Sequence, residues 1–410
     1  IINKTNIKDN SSLEQSHLIA TQFFNNNSNC KVNHDIYALG HCHIDTAWLW
    51  PYAETRRKVA RSWATQLHLL QSYPEYKFVA SQTVQYEWLL EDSPNLFNRI
   101  KESVISGNFI PIGGTYVEFD ANIPSGESMI RQFLYGMKFL KEQFNVIPKV
   151  FWLPDTFGYS SQLPQIMKGF NIEFFLSQKL SWNLINKFPH NTMEWRGIDG
   201  SSVIAHFPPA DNYESEANPS DIIKTVENNK SKMASNRSLL LFGHGDGGGG
   251  PAVSHFEKLN RLKSCESVAR IHTNLHPNDF FFKVKEDFEI SSKDRHTIPH
   301  PIWKGELYLE LHQGTFTSQA KIKYQNRLCE TLLRGIETLY FINVFSFHKK
   351  FIQLTNEGIE YLLSLPKIIE KLWKDTLLNQ FHDVIPGSSI GMVYEDSDRM
   401  LTEVINLSYY

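Results

Sequence analysis

Three polar side chains at alternate positions near the start of the chain could act together as metal ligands. His41, His43 and Asp45 follow an apolar run at residues 36–39 that is typical of a short buried strand. Because side chains two residues apart in an extended chain share a face, we expect all three to point the same way. Imidazole nitrogens and carboxylate oxygens bind zinc, so the segment predicts half of a zinc site. A strand end with a hydrogen-bonded histidine and a helix-capping aspartate is the alternative interpretation.

A second carboxylate, Asp155, comes directly after another predicted strand, at residues 150–153. In parallel α/β proteins, catalytic groups and ligands gather at the C-terminal ends of the strands. We therefore expect Asp155 and Asp45 on the same rim. An aspartate that only forms a turn or caps a helix would give the same local pattern.

A glycine-rich segment, FGHGDGGGGP at residues 242–251, carries a third carboxylate, Asp246. It contains the G-x-G-x-x-G spacing of dinucleotide-binding loops, between a predicted strand and a helix. We reject that interpretation because Asp246 would face and repel a pyrophosphate. The glycines instead predict a rim that a bulky neutral ligand approaches closely, where burial or a neighbouring anion would make Asp246 a general acid. A flexible loop is the alternative.

A distant histidine, His382, lies in NQFHDVIPGSS at the end of a predicted helix. A histidine there commonly interacts with the helix dipole, but this one could also supply a missing imidazole ligand to the strand rim. Two further stretches carry polar groups, GGTYVEFDAN at residues 113–122 and an alternating series from Glu306 to His312. For both, a structural role is the preferred interpretation.

Alternating strands and helices between residues 36 and 242 predict an α/β fold with a parallel core, wound as an open sheet or a barrel. From about residue 320, helical spacing over residues 320–344 and 358–382 predicts a helical bundle. The expected division is a polar arm or linker at 1–33, an α/β catalytic domain at 34–310 and a bundle domain at 311–410, which carries His382.

The composition excludes several classes of partner. A net charge of −3 gives no reason to expect nucleic acid or an anionic membrane surface. No apolar run approaches the roughly 18 residues that a membrane span needs. Four cysteines without a CxxC pair fit a reducing compartment, which favours the cytoplasm.

Several motifs in order resemble those of the α-mannosidases of glycoside hydrolase family 38, in particular the cytosolic and vacuolar branch. The motifs are HCHIDTAW, WLPDTFGYSSQLPQI, GHGDGGGGP and FHDVIPGSS, and the likeness runs from about residue 36 to the C-terminus. The resemblance implies a barrel-like (β/α) catalytic domain followed by a helical bundle. It also implies large C-terminal β domains beyond Tyr410, and it is compatible with a homo-oligomer.

The resemblance assigns roles to individual positions. The implied zinc ligands are His43, Asp45, Asp155 and His382, and cobalt could occupy the same ligands. Asp155 would also be the nucleophile, and Asp246 the acid/base. The implied substrate-binding residues are Trp48, Asp383, Lys179, Tyr213 and His41. His41 is either a residue that supports the ligands from behind or a competitor of His43 for the metal.

The implied reaction is zinc-dependent, retaining exo-hydrolysis of terminal α-mannosyl residues from oligosaccharides, through a mannosyl-aspartate intermediate. Such a mechanism predicts the two carboxylates of Asp155 and Asp246 about 5–5.5 Å apart. The alternatives are a zinc-dependent deacetylase or amidohydrolase, and a catalytically silent mannoside-binding fragment. The expected location is the cytoplasm, with the vacuolar or lysosomal lumen as the alternative.

Overall fold

A computed structural model describes residues 9–26, 33–263, 268–293, 299–349 and 354–409. Within these residues the strands are β1 (Asp35–His41), β2 (Phe78–Ala80), β3 (Phe109–Pro111), β4 (Val150–Trp152), β5 (Phe174–Leu176), β6 (Thr192–Arg196), β7 (Ser202–His206), β8 (Arg237–Phe242), β9 (Arg270–His272) and β10 (Ile302–Lys304). The helices are α1 (Asn10–Asn26), α2 (Tyr52–Ser72), α3 (Thr83–Asp92), α4 (Pro94–Ile105), α5 (Gly126–Phe144), α6 (Leu163–Gly169), α7 (Pro219–Glu227), α8 (Val253–Lys263), α9 (Pro277–Lys293), α10 (Ala320–His348), α11 (Asn356–Leu378) and α12 (Gly391–Leu407).

The strands form two sheets that meet at two seams. The first has the order β3-β2-β1-β8 with β9 also on β1, and the second has the order β10-β6-β7-β5-β4. All pairs are parallel except the β6–β7 hairpin. At one seam Gly113 N donates to Val150 O at 3.2 Å, and at the other Leu239 N donates to His206 Nε2 at 3.1 Å. The predicted α/β, barrel-like arrangement is confirmed.

Alternation along the strands separates the barrel interior from its outer layer. Tyr37 and Leu39 of β1 pack in one interior cluster with residues of β2, β4, β5 and β8. Ile36 and Ala38 face the other way, into a cluster with α2. Because this period continues past the end of β1, His41 and His43 lie on the interior side at the rim of the barrel.

The helices α10, α11 and α12 pack against one another and form the predicted bundle, and α5 of the barrel packs on α11. The backbone after α11 then pairs with the segment after β3. Asp120 N donates to Gln380 O at 2.9 Å, and His382 N donates to Glu118 O at 3.2 Å. This backbone pairing brings His382 from the helical region to the rim of the barrel.

Local differences from the sequence predictions have local causes. The helical stretch after β2 is divided into α3 and α4, because Pro94 starts a new helix directly after Ser93. Residues 10–26 of the polar N-terminal segment form α1, whose described side chains are mostly exposed. The domain division at residues 33 and 310 stays a prediction. Among the described residues, no helix has the length and apolarity to cross a bilayer.

Candidate active site

Four buried side chains from three separate elements converge at the rim. His43 and Asp45 follow β1, Asp155 follows β4, and His382 follows α11. One nitrogen or oxygen from each lies within 4.8 Å of all the others. The shortest separation, 2.9 Å, joins His43 Nε2 to Asp45 Oδ1, and His382 Nε2 is 3.4 Å from Asp155 Oδ2 and 3.5 Å from Asp45 Oδ1.

The contacts at Nδ1 of the two histidines favour Nε2 as the metal-binding atom. Nδ1 of His382 donates to the backbone oxygen of Glu118 at 2.8 Å, so the proton is on Nδ1 and the lone pair on Nε2. In His43 the Glu118 carboxylate, with Oε2 3.0 Å from Nδ1, favours the same tautomer, and Nε2 faces Asp45 Oδ1. His382 Nε2 is buried without a hydrogen-bond partner. Two neutral imidazoles with two carboxylates fit zinc, and a carboxylate behind a ligating histidine is a frequent support.

The electrostatics of the cluster favour an ionised Asp155. Burial alone would raise its pKa, but His382 and the Lys179 ammonium, 2.7 Å from Oδ1, hold the pKa of Asp155 well below its usual range. Burial likewise lowers the pKa of His382, yet the facing carboxylates of Asp155 and Asp45 outweigh it and raise the pKa to about 10. An ionised carboxylate at the edge of a cleft can act as a nucleophile.

Asp246 has the opposite environment. It lies in the glycine-rich loop between β8 and α8, where Asp45 N donates to Asp246 O at 3.1 Å. Tyr213 Oη donates to Asp246 Oδ1 at 2.8 Å. Burial raises the pKa of Asp246, and the negative charges of Asp45 and Asp155 add to the rise, against His43. A carboxyl with a raised pKa can serve as a general acid.

One glycine of this loop is required by space and by conformation. Gly243 has φ +122, and a Cβ there would lie 2.5 Å from Pro251 N and 2.6 Å from His41 O. No other residue fits this position without moving the backbone of β1 or of the loop. Packing of the loop on itself and on the end of β1 thus explains the glycine at this position. The predicted role of the glycines in admitting a bulky ligand stays a prediction.

The cluster opens into a cleft of about 350 Å³, within the size range of small-molecule sites. The side chains of Trp48, Phe157 and Trp182 line it and could cover the apolar faces of a sugar ring. The cleft is also lined by Asp45, Asp155, Lys179, Tyr213, Asp246, His312, Gly314, Thr315, Ser318, Asp383, Pro386, Gly387 and Ser388.

The structure brings most of the predicted substrate residues into this cleft. Trp48, Lys179, Tyr213 and Asp383 all line it. Lys179 Nζ also lies 3.8 Å from the centre of the Trp182 ring. Asp383 Oδ2 is 3.7 Å from His382 Nε2, and burial together with the charge of Asp45 raises the pKa of Asp383 to about 7.

Among the predicted substrate-binding residues, His41 is the one that does not line the cleft. It lies behind His43, and both of its ring nitrogens are engaged, Nδ1 with Tyr213 O at 3.0 Å and Nε2 with Trp152 Nε1 at 3.2 Å. No nitrogen of His41 is left for a metal or a sugar. His41 was predicted either to support the metal ligands or to compete with His43 for the metal, and the geometry favours the supporting role.

Glu118 lies at the site, although a structural role was the preferred interpretation of its segment in the sequence analysis. Its carboxylate is fully buried and faces His43, while Ser81 Oγ donates to its other oxygen. The available signal was a glutamate between apolar residues directly after a strand. The segment after β3, which carries Glu118, pairs with the segment after α11, and this pairing holds the Glu118 side chain near His43. No local sequence pattern indicates that pairing.

A second group of ligand-type residues, Glu216, His244 and His255, also lies within 4.8 Å. Its hydrogen bonds distinguish it from the first group. Nδ1 of His255 accepts a hydrogen bond from Ala252 N at 3.0 Å, so the ring proton is on Nε2, the atom that faces Glu216. A protonated Nε2 cannot bind a metal, and we assign no metal to this group.

Comparison with known proteins identifies the family. The model of the glycosyl hydrolases family 38 N-terminal domain matches residues 33–306, and the model of the alpha mannosidase middle domain matches residues 310–408. The chain belongs to glycosyl hydrolase family 38. This membership confirms the resemblance seen in the sequence motifs, and it agrees with a catalytic α/β domain followed by a helical domain.

Curated alpha-mannosidases from two organisms are similar to this chain over most of its length. Alpha-mannosidase G of Dictyostelium discoideum is 44% identical over 405 residues, which are 99% of this chain and 35% of that protein. Alpha-mannosidase 2C1 of Homo sapiens is 45% identical over 92% of this chain and 34% of that protein. The chain therefore spans about one third of the length of the curated relatives it matches.

The fold is also found in a solved family 38 structure. An alpha-mannosidase from Enterococcus faecalis V583 superposes with a TM-score of 0.72, covering 92% of this chain and 42% of that one at 18% identity. At this identity the likeness concerns the fold alone.

Proposed function

We propose that this chain forms the catalytic part of a zinc-dependent α-mannosidase that removes terminal α-mannosyl residues from oligosaccharides with retention of configuration. One observation carries the proposal. Asp155 lies both in the buried four-residue cluster and in the lining of a cleft that also contains Asp246. Relatives named alpha-mannosidase, at 44–45% identity over almost the whole chain, support mannosides as the substrate class.

In this mechanism Asp155 is the nucleophile. Its ionised carboxylate, held by Lys179, attacks the anomeric carbon and forms a mannosyl-aspartate while the bond to the leaving oxygen breaks. Asp246, protonated because of its raised pKa, gives its proton to that leaving oxygen. Asp246 then takes a proton from water as the water attacks the same carbon, which releases mannose and regenerates Asp155.

Four residues, His43, Asp45, Asp155 and His382, would hold the zinc ion. When bound, zinc would supply a Lewis acid that binds sugar hydroxyls and favours a distorted ring. Trp48 and Phe157 would pack on the apolar faces of the ring, and Asp383 would accept hydrogen bonds from hydroxyl groups. The side chain of Glu118 would keep His43 in the tautomer that binds the metal.

The test is hydrolysis of an aryl α-mannoside followed by proton NMR. We expect α-mannose as the first product, about one zinc per chain, and no hydrolysis of the matching α-glucoside. A mannosyl fluoride that carries a second, deactivating fluorine should leave a covalent adduct on Asp155 that mass spectrometry of peptides detects. β-Mannose as the first product, or an adduct elsewhere, would contradict the proposal.

The same adduct distinguishes the principal alternative. A zinc-dependent deacetylase or amidohydrolase would also place histidines and aspartates at strand ends, but it would use a water nucleophile and form no adduct. A silent mannoside-binding fragment would bind mannose without turnover. The cytoplasmic location, further C-terminal β domains and a homo-oligomer stay predictions from the resemblance.

A further inference from the structure

His41 is a buried histidine whose two hydrogen bonds fix its tautomer. The indole Nε1 of Trp152 is always a donor, so Nε2 of His41, 3.2 Å away, must be the acceptor. The ring proton is therefore on Nδ1, which donates to the backbone oxygen of Tyr213 at 3.0 Å. His41 is 1% exposed and Trp152 is fully buried in the barrel interior, so this pair is anchored in rigid core.

The backbone that His41 holds belongs to a segment, residues 213–215, that fixes the loop carrying Asp246. The Tyr213 hydroxyl donates to Asp246 Oδ1 at 2.8 Å, and Gly245 N donates to Glu214 Oε2 at 3.1 Å. Ser215 pairs with the end of β8, through Ser215 N to Leu241 O at 2.9 Å and Gly243 N to Ser215 O at 3.2 Å. Three successive residues thus bind β8 or its loop.

Of these three residues, Tyr213 is the one that touches the carboxyl group of Asp246. Its ring stands edge-on to His41, with 6.3 Å between centroids, and edge-on to His43, with 5.3 Å. Rotation of the Tyr213 backbone would move the phenol away from Asp246, and the His41 hydrogen bond to Tyr213 O resists that rotation. A chain of contacts therefore runs from Trp152 through His41 and Tyr213 to Asp246.

We propose that His41 is a positioning residue for the general acid Asp246 and acts through the backbone oxygen of Tyr213. This inference rests on the proposed function. Proton transfer by a placed acid contributes roughly 10²–10⁴-fold to such reactions, and a displacement of about 1 Å can remove about 100-fold. His41 therefore affects the chemical step without touching metal or sugar.

The test compares two amide variants on substrates with different leaving groups. In His41→Asn the amide nitrogen takes the place of Nδ1 and keeps a donor toward Tyr213 O. In His41→Gln the amide takes the place of Nε2 and leaves Tyr213 O without its donor. A 2,4-dinitrophenyl α-mannoside has a leaving group that needs no proton, whereas methyl α-mannoside depends on the acid.

We expect His41→Gln to lower kcat/KM for methyl α-mannoside about 10- to 100-fold and for the dinitrophenyl mannoside less than about threefold. His41→Asn should stay within about threefold of wild type on both, and both variants should keep the wild-type zinc content. Trp152→Phe retains His41 but removes the indole N–H that donates to His41 Nε2. We expect the same difference between the two substrates, with a smaller loss of kcat/KM. This variant also tests the proposal if His41→Gln does not fold.

Several results would overturn the inference. Equal losses on the two substrates would assign His41 a general structural role, and equal losses in His41→Asn and His41→Gln would exclude the Tyr213 contact. Loss of zinc would assign His41 to the metal ligands. Absence of dinitrophenyl mannoside hydrolysis by the wild-type chain would instead refute the proposed function itself.

Discussion

Two carboxylates that face the same cleft have opposite surroundings. Asp155 lies against His382 Nε2 and the Lys179 ammonium, which keep its pKa below the usual range, whereas Asp246 lies near the anions Asp45 and Asp155, which add to the effect of burial and raise its pKa. Pairs of titratable groups whose pKa values are pushed apart divide the roles of base or nucleophile and acid. At the scale of single residues, this asymmetry is the physical basis for the proposed mechanism.

We expect removal of the Tyr213 hydroxyl to shift the pH profile of kcat/KM. Its hydrogen bond to Asp246 Oδ1 favours the ionised carboxylate and so lowers the pKa of Asp246. In Tyr213→Phe that pKa rises, and the acid stays protonated to higher pH. We expect the alkaline limb of kcat/KM for an aryl α-mannoside to move up by roughly one pH unit.

The control for this shift is Tyr308→Phe, since Tyr308 is a half-exposed tyrosine that does not line the cleft. Its pH profile should match that of the wild type. An alkaline limb that stays in place, or moves to lower pH, in Tyr213→Phe would contradict the assignment of Asp246 as the acid.

We expect a loss of metal when His382, a proposed ligand, is replaced. His382→Ala removes the imidazole, which leaves three ligands, all from the barrel rim, and no ligand from the helical region. We expect zinc content, measured by mass spectrometry after gel filtration, to fall from about one per chain to below about a tenth. His312→Ala is the matched control, because His312 lines the cleft outside the cluster. Equal zinc content in the two variants would refute the four-ligand site.

At the scale of elements, a buried polar joint fixes α10 and α11 to the barrel. The carboxylate Oε1 of Glu330, on α10, accepts from Ser125 N at 2.8 Å, Ser128 Oγ at 2.7 Å and Gln380 Nε2 at 3.3 Å. Gln380 also donates to Asn326 Oδ1 at 2.8 Å. Since Gln380 is two residues before His382, this joint helps to position the side chain that we propose as the fourth metal ligand.

Substitution of Glu330 therefore predicts a combined loss of stability and zinc affinity. Glu330→Ala leaves the backbone nitrogen of Ser125 and the buried hydroxyl of Ser128 without the acceptor that Glu330 provides, at about 1–3 kcal/mol for each group. We expect urea unfolding to show a decrease of about 2–5 kcal/mol in the free energy of unfolding. Zinc affinity, measured by competition with a chelator, should weaken because His382 is less well placed.

An exposed pair in the same bundle gives the comparison for Glu330. Glu403 of α12 lies 3.3 Å from Lys371 of α11, with about half of its side chain exposed. Glu403→Gln should change stability by less than about 1 kcal/mol and leave zinc affinity unchanged. Similar effects from the two substitutions would mean that the buried joint does not position His382.

At the scale of the whole molecule, the cluster draws its side chains from both the barrel and the helical region. Three ligands come from the barrel rim and the fourth from the helical region, so a bound ion would connect them. Such an ion binds the folded chain and has only scattered ligands in the unfolded one. Its free energy of binding then adds to folding stability.

We therefore expect removal of zinc by a chelator to destabilise the whole chain. At a free zinc concentration 1,000 times the Kd, restored zinc should stabilise the fold by about 4 kcal/mol. The measurement is urea unfolding with chelator, and again after dialysis into zinc. His382→Ala should show no zinc-dependent change. An identical zinc-dependent gain in that variant would place the stabilising ion elsewhere.

The sequence alone determined the features that depend on neighbouring residues. Period-two alternation placed His43 and Asp45 on one face after β1, and the apolar run before Asp155 placed that carboxylate at the end of β4. Both features are local, because strand geometry fixes side-chain direction two residues at a time. Family motifs then connected these residues with His382 and Asp246.

Only the tertiary structure decided how distant residues meet. The sequence could not show that Glu118 faces His43, because this depends on backbone pairing between the post-β3 and post-α11 segments. Nor could it orient His41, which shares the alternation of His43 but turns both nitrogens to Trp152 and Tyr213. Identical local patterns thus led to different proposed roles for His41 and His43, because each ring faces partners that are distant in the sequence: Trp152 and Tyr213 for His41, and Glu118 for His43.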